Sequence, residues 1–262
     1  MTGQPIELIV ADIDGCLTGG GRSLVDLDMA RRLRQWQLQA AEGDPAIPRL
    51  VFNTGRPLAY VLALVQTFDV RLPSLAECGL VMWIPEERRS ALHPDYDERR
   101  RGLFRDLMAD AEEEFMAGAD SIVHFEAGKF SQLTLLAKDP HRSRDVAEAA
   151  RDFLARWEEH FAAELTPAVL NLLPRGLHKG SGLDWLADVT GIAPERMAGI
   201  GDNLGDLEFM EKCGFSACPN NAREGVIARC DWVLDSGPAA CMVELYERAI
   251  AHNRAVLPVH RS

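Results

Sequence analysis

The sequence predicts an α/β protein: a core built on a doubly wound parallel sheet, interrupted by an inserted α+β module. Three observations carry that expectation. Short apolar runs such as 6–11, 49–52 and 197–200 have the length and composition of strands buried on both faces. Most are followed by a glycine-containing turn and a stretch with helical spacing, the alternation that a parallel sheet requires. Between residues 84 and 175 this gives way to helix, two strands, helix, two strands, which can close on itself as a two-layer module. The expected boundaries are therefore 1–83 with 176–262 for the core and 84–175 for the insertion.

The chain of 262 residues is long enough for a medium domain carrying a smaller one, and 47% hydrophobic residues supply a core. Asp and Glu number 40 against 28 Lys and Arg, a formal charge of -12 that argues against nucleic acid or an anionic membrane as a general partner. An anionic substrate then needs local neutralisation, by a metal or a few placed cations. No stretch reaches the ~18 apolar residues of a membrane span, and Asp12 cuts the N-terminal apolar run, so the expected address is the cytoplasm. Cys16, Cys78, Cys213, Cys218, Cys230 and Cys241 show neither Cys-x-x-Cys nor a zinc spacing and read as reduced thiols.

In order along the chain, the run Ile6-Glu7-Leu8-Ile9-Val10-Ala11 ends in Asp12-Ile13-Asp14. Residues two apart in an extended backbone leave on the same side, so Asp12 and Asp14 form a paired anionic site at the strand end. Gly15 allows the turn there, and Gly19, Gly20 and Gly21 give a pliable connection to a helix over 27–39. A second strand, 49–52, ends in Asn53-Thr54-Gly55-Arg56-Pro57 before a helix over 58–68. A hydroxyl beside a glycine, ahead of free helix N–H groups, is a good place for a phosphate. Residues 74–76 and 80–84 follow as strands. The charged stretch 86–114 has the composition of a solvated helix face.

Within the insertion, 121–138 reads as a hairpin turning at Gly128, 142–161 as one amphipathic helix, and 165–170 and 171–173 as two strands. The doubly wound pattern returns with His178-Lys179-Gly180-Ser181-Gly182 and a helix over 183–190. The strand 197–200 ends in Gly201-Asp202-Asn203-Leu204-Gly205-Asp206, ahead of a helix over 207–213. Strands at 215–218 and 232–234, a helix over 242–252 and a loose tail after Asn253 complete the chain.

Strand ends thus carry Asp12 with Asp14, Thr54, and Asp202 with Asp206, and parallel strands point these ends at one edge. Four converging carboxylates repel one another unless a cation sits among them, and hard oxygens suit Mg²⁺. Lys179 adds a fixed positive charge at the re-entry to the core. Mg²⁺ and an ammonium together offset phosphoryl oxygens and let a carboxylate attack phosphorus.

These residues resemble the haloacid dehalogenase superfamily, and within it the Cof-like, type IIB phosphatases whose cap lies between the second and third motifs. Asp12-Ile13-Asp14-Gly15-Cys16-Leu17-Thr18 is similar to the first motif, Asn53-Thr54-Gly55-Arg56 to the second, Lys179-Gly180 to the third and Gly201-Asp202-Asn203-x-x-Asp206 to the fourth. The resemblance implies a Rossmann-like core and an aspartyl-phosphate on Asp12. It makes Asp14 the acid that protonates the leaving oxygen and then activates water. Mg²⁺ would be held by Asp12, Asp202 and the backbone carbonyl of Asp14, with Asp206 supporting. Thr54, Gly55 and Lys179 would hold the phosphoryl group, and Asn221 resembles a further phosphate-side contact. Two positions depart from the pattern: Gly205 and Cys78 each stand where the family commonly has asparagine.

The expected activity is hydrolysis of a phosphorylated sugar or a sugar-derived acid phosphate, with phosphoglycolate, mannosyl-phosphoglycerate and sucrose phosphate as candidates. Glu126, Lys129 and Arg175 are polar candidates for selecting it. A phosphomutase shares the same covalent intermediate. A dehalogenase has no need of Asp14 or a metal, and a signalling receiver domain is about half this length.

Overall fold

The computed structural model describes residues 3–21, 23–116, 123–139, 143–165 and 169–258. The first limb holds β1 (Leu8–Ala11), α1 (Leu27–Ala41), β2 (Arg49–Phe52), α2 (Leu58–Phe68), β3 (Ser74–Ala76), β4 (Val81–Ile84) and β5 (Arg89–Leu92). The inserted part holds α3 (Glu98–Met116), β6 (Val123–Phe125), β7 (Leu133–Ala137), α4 (Ser143–Ala149), α5 (Arg151–Trp157), β8 (Phe161–Leu165) and β9 (Val169–Pro174). The return limb holds α6 (Lys179–Thr190), β10 (Met197–Ile200), α7 (Leu207–Met210), β11 (Phe215–Cys218), α8 (Glu224–Ile227), β12 (Trp232–Val233) and α9 (Ala240–Val256). Residues 1–91 with 179–262 form one compact unit, and residues 92–178 a second. The first unit extends past residue 84 because β5 joins β3 and β4 in a three-stranded sheet. No helix among the described residues is long and apolar enough to cross a membrane.

In the first unit the main sheet has the order β12-β11-β10-β1-β2, with all neighbours parallel. Register sets Ala11 of β1 beside both Ile200 of β10 and Phe52 of β2. The next residue of each strand therefore leaves the sheet at one level. The Asp12 N–H donates to the Ile200 carbonyl at 2.9 Å, and the Asn53 N–H to the Ala11 carbonyl at 2.9 Å. Strand order also reverses at β1, which is where open α/β sheets bind ligands.

An exposed cap starts the first helix, and buried side chains hold the helices to this sheet. Asp26 caps α1 by accepting from the N–H groups of Asp28 and Met29, both at 2.9 Å. From α1, Gln37 accepts from the Leu50 N–H at 2.8 Å and donates to the Tyr246 hydroxyl at 2.9 Å, joining α1, β2 and α9. The last helix runs beyond the expected 252. Asn253 is fully buried, accepts from the Ile6 N–H at 2.7 Å, and donates to the carbonyls of Ile6 at 2.7 Å and Ala46 at 3.1 Å. Asn253 is thus a pin on the segment that leads into β1, and of the expected tail after it residues 254–256 are still helical, while residues 259–262 lie outside the described residues.

In the second unit an antiparallel sheet has the order β6-β7-β9-β8. Of the charged stretch 86–114, residues 89–92 are the strand β5 and only the part from Glu98 is helical, as α3, whose buried Phe104, Leu107 and Ala111 make a stripe at helical spacing. The expected helix over 142–161 is two shorter ones, α4 and α5, and Phe161 instead pairs with Pro174 in the sheet. The expected division between 170 and 171 is absent, because β9 is one strand bonded to β7 and β8 on its two sides. Parts of these expected elements, residues 121–122, 142 and 166–168, lie outside the described residues. Buried beside the β6–β7 turn, the Lys129 ammonium lies 2.7 Å from Glu126 and contacts Thr134, whose hydroxyl bonds Asn171 Oδ1 at 2.7 Å. Arg175 is exposed and donates to the Glu158 carbonyl at 2.5 Å.

Replacing Asn253 by alanine removes three hydrogen bonds and strands buried backbone groups, so it should cost about 3 kcal/mol and lower the melting temperature by roughly 10 °C. A melting curve within a degree or so of the wild type contradicts that role.

Candidate active site

The acids and the lysine converge because of where their elements end. Asp12 follows β1, Asp202 and Asp206 follow β10, and Lys179 opens α6. The Lys179 ammonium lies 2.8 Å from Asp12 Oδ1 and 2.5 Å from Asp206 Oδ1. Its main chain is held by Asn53, whose Nδ2 donates to the Lys179 carbonyl at 3.0 Å. The other oxygen of Asp206 accepts from the N–H groups of Asp202 at 3.1 Å and Asn203 at 2.9 Å, so the loop after β10 folds around that carboxylate. Close approach needs two glycines. A Cβ on Gly201 would be driven into Asp206, and one on Gly15, at φ 87°, into the Asp202 carboxylate.

One ligand oxygen from each of Asp12, Asp202 and Asp206 can be chosen so that all lie within 4.8 Å of one another. Burial pushes Asp12 up to about 8, with Lys179 opposing the rise and Asp206 and Asp14 adding to it. Burial also raises Asp202 to about 6, and repulsion from Asp206 contributes. For Lys179, burial acts to lower the pKa, but Asp12 and Asp206 hold it well above its ordinary value. Three carboxylates share one ammonium, which is an excess of hard negative oxygens. Such a set fits a small divalent cation.

Asp14 stands apart from that set. Arg56 grips it with both arms of the guanidinium, Nε to Oδ2 and Nη2 to Oδ1, each at 2.6 Å. Thr54 is buried, its hydroxyl accepting from the Arg56 N–H at 3.3 Å and its carbonyl from the Cys78 N–H at 2.8 Å. Glu77, Cys78 and Gly79 are all left-handed, at φ 49°, 56° and 90°, a strained turn behind Thr54 and Gly55. Cys78 Sγ lies 3.4 Å from where a Cβ on Gly55 would sit. Asparagine accepts this conformation more readily than cysteine, so the Cys78 departure leaves a backbone cost in place. Near Gly205, Asn203 Oδ1 accepts from the Leu204 N–H at 3.1 Å within the same loop. Asn221 is exposed, and its loop is joined to the site by the Arg223 N–H donating to the Asp202 carbonyl at 3.0 Å.

Arg56 and Asn53 have contacts that sequence reading did not find. Both lie in the segment that resembles the second motif, but their partners are remote: Asp14 is 42 residues from Arg56, and Lys179 is 126 from Asn53. Only the parallel register of β1 and β2 brings Arg56 to Asp14.

A pattern for haloacid dehalogenase-like hydrolases matches residues 105–239, over half of the chain, and the chain belongs to that family. It is 26% identical over 251 residues to a phosphoglycolate phosphatase from Methanococcoides burtonii, covering 94% of this chain and 98% of the relative. The fold is that of a solved protein, Thermoplasma acidophilum 0175, with a TM-score of 0.72 at 17% identity over 94% of this chain and 99% of the other. It is likewise similar to the sucrose-phosphatase of Synechocystis, solved with sucrose and phosphate, with a TM-score of 0.65 at 14% identity over 94% and 98% of the two chains.

The raised acids give a pH dependence with a definite sign. In the cation-free protein, folded Asp12 and Asp202 keep protons that the unfolded chain releases above 3.8. Stability therefore falls as pH rises through about 6 and about 8. Melting in EDTA should drop by several degrees between mildly acidic and mildly alkaline buffer, and a divalent cation should remove most of that drop. Asp12→Asn should flatten it. A cation-free melting temperature that is level or climbs over this range contradicts the electrostatic account.

Proposed function

We propose that this phosphatase hydrolyses phosphate monoesters of small metabolites through an aspartyl-phosphate on Asp12, with Mg²⁺ as its cation. The observation that most supports this is Asp12 at a sheet switch point, one oxygen 2.8 Å from a buried ammonium and within reach of two further carboxylates. Asp12, Asp202 and Asp206 would hold the metal, which supplies charge neutralisation for the phosphoryl oxygens when bound.

The chain's own residues do the rest. Lys179, the Thr54 hydroxyl and the Gly55 N–H hold the phosphoryl oxygens. An Asp12 oxygen attacks phosphorus, and the bond from phosphorus to the ester oxygen breaks while Asp14 gives that oxygen a proton. In the second step Asp14 takes a proton from water, the water oxygen attacks phosphorus, and the bond to Asp12 breaks. Inorganic phosphate leaves, and both aspartates return to their starting forms.

The substrate class is a sugar phosphate or a small acid phosphate. The relatives named phosphoglycolate phosphatase make phosphoglycolate the first compound to test. We assign its selection to residues 92–178, because every residue of the proposed chemistry lies in the other unit. The Lys129 cluster is the candidate reader within it.

Asp12→Asn should abolish phosphate release while keeping the fold, since an amide cannot attack phosphorus. Dialysis against EDTA should stop the wild type, with Mg²⁺ restoring it and the larger Ca²⁺ substituting poorly. Turnover by Asp12→Asn near the wild-type rate, or undiminished activity after metal removal, would sink the mechanism. An isomerised product without phosphate release would make the protein a mutase.

Lys129→Met should reorder preferences among phosphorylated metabolites far more than it changes the rate on p-nitrophenyl phosphate. Equal losses on all esters would place selection elsewhere.

A further inference from the structure

We infer that Arg56 is the positioning residue for Asp14, holding its carboxylate apart from the cation-binding acids and in the place from which it exchanges protons. This rests on the phosphatase reading above. Asp14 follows Asp12 by two residues, so an unheld Asp14 could turn in as a fourth carboxylate on the cation. Arg56 prevents that with two hydrogen bonds of 2.6 Å, one to each oxygen. A carboxylate has about four acceptor positions, so each Asp14 oxygen keeps one beyond that taken by the guanidinium.

The guanidinium is itself oriented. Its Cζ lies 5.1 Å from the centre of the Tyr60 ring, and its backbone is tied at both ends. The Arg56 N–H donates to the Thr54 hydroxyl at 3.3 Å, and the Arg56 carbonyl accepts from the Glu77 N–H at 3.0 Å. The strained Glu77-Cys78-Gly79 turn, the phosphate-side threonine and the proposed acid are therefore linked through one residue, the first two by its backbone and the third by its guanidinium. A lysine could offer the charge but not the planar fork.

The test uses the full-length enzyme with Mg²⁺ and two esters, glycerol phosphate, whose leaving oxygen needs a proton, and p-nitrophenyl phosphate, whose leaving group needs little help. Arg56→Ala should lower kcat on glycerol phosphate by on the order of 10²-fold with little change in KM, the scale of a misplaced catalytic group. The loss on p-nitrophenyl phosphate should be smaller, and added guanidinium ion should restore part of the rate. In an Asp14→Asn background the same change should cost nothing further. Wild-type turnover by Arg56→Ala, full additivity with Asp14→Asn, or equal losses on both esters with a raised KM would each overturn the inference; the last would make Arg56 a substrate-binding residue. If Arg56→Ala does not fold, Arg56→Gln, which keeps a single donor arm, carries the same comparison. A crystal structure of the variant answers without turnover: Asp14 should swing from its place, and an unmoved carboxylate contradicts the assignment. A wild type inactive on both esters, even with Mg²⁺ bound, defeats the phosphatase reading and this inference with it.

Discussion

Three carboxylates and one ammonium meet in a nearly dry space at the end of the central strand, and most of the local structure exists to keep them there. At about 4 Å and an effective dielectric near 20, each like-charge pair costs roughly 4 kcal/mol. Lys179 offsets part of that, because it touches Asp12 and Asp206 at once. Burial, with the remaining repulsion added to it, is why Asp12 and Asp202 hold their protons so far up the pH scale. A fold that merely needed stability would place apolar residues here. Keeping this charge in place means that the surrounding backbone must hold against it.

That backbone is rigid for reasons visible in the register. Ala11, Ile200 and Phe52 lie side by side, so the three strand ends carrying Asp12, Gly201 and Asn53 are fixed relative to one another by sheet hydrogen bonds. The loop after β10 closes on Asp206, which spends one oxygen on two N–H groups and the other on Lys179. Remote pins such as Gln37 and Asn253 tie α1 and α9 to the same sheet. Packing far from the chemistry therefore sets distances within it.

Much of the core was legible in the chain. The strand 49–52 and the helix 58–68 fall where apolar periodicity and flanking turns put them, because both are short, uninterrupted and bounded by proline or glycine. The convergence of Asp12, Asp202 and Asp206 also followed, since it needs only parallel strands with acids at their ends, and Lys179 joins them from the start of α6. What could not be read depends on partners distant in sequence. Nothing near Arg56 announces Asp14, and nothing near Asn253 announces Ile6. The inserted unit was harder, because the apolar run from Val169 to Pro174 looks the same whether it is one strand or two, and only its pairing to both β7 and β8 decides. Left-handed Glu77 and Cys78 carry no local signal at all, since neither is a residue that favours that conformation.

The central claim is that Asp12 itself becomes phosphorylated. Rapid acid quench of the enzyme mixed with Mg²⁺ and a hydrolysed ester, followed by peptide mass spectrometry, looks for that bond directly. The account predicts a transient peptide heavier by one phosphoryl group, with the modification on Asp12 and its level rising in Asp14→Asn, where the second step lacks its base. Turnover with the phosphoryl group on another residue, or a pre-steady-state burst with Asp12 never modified, would contradict it.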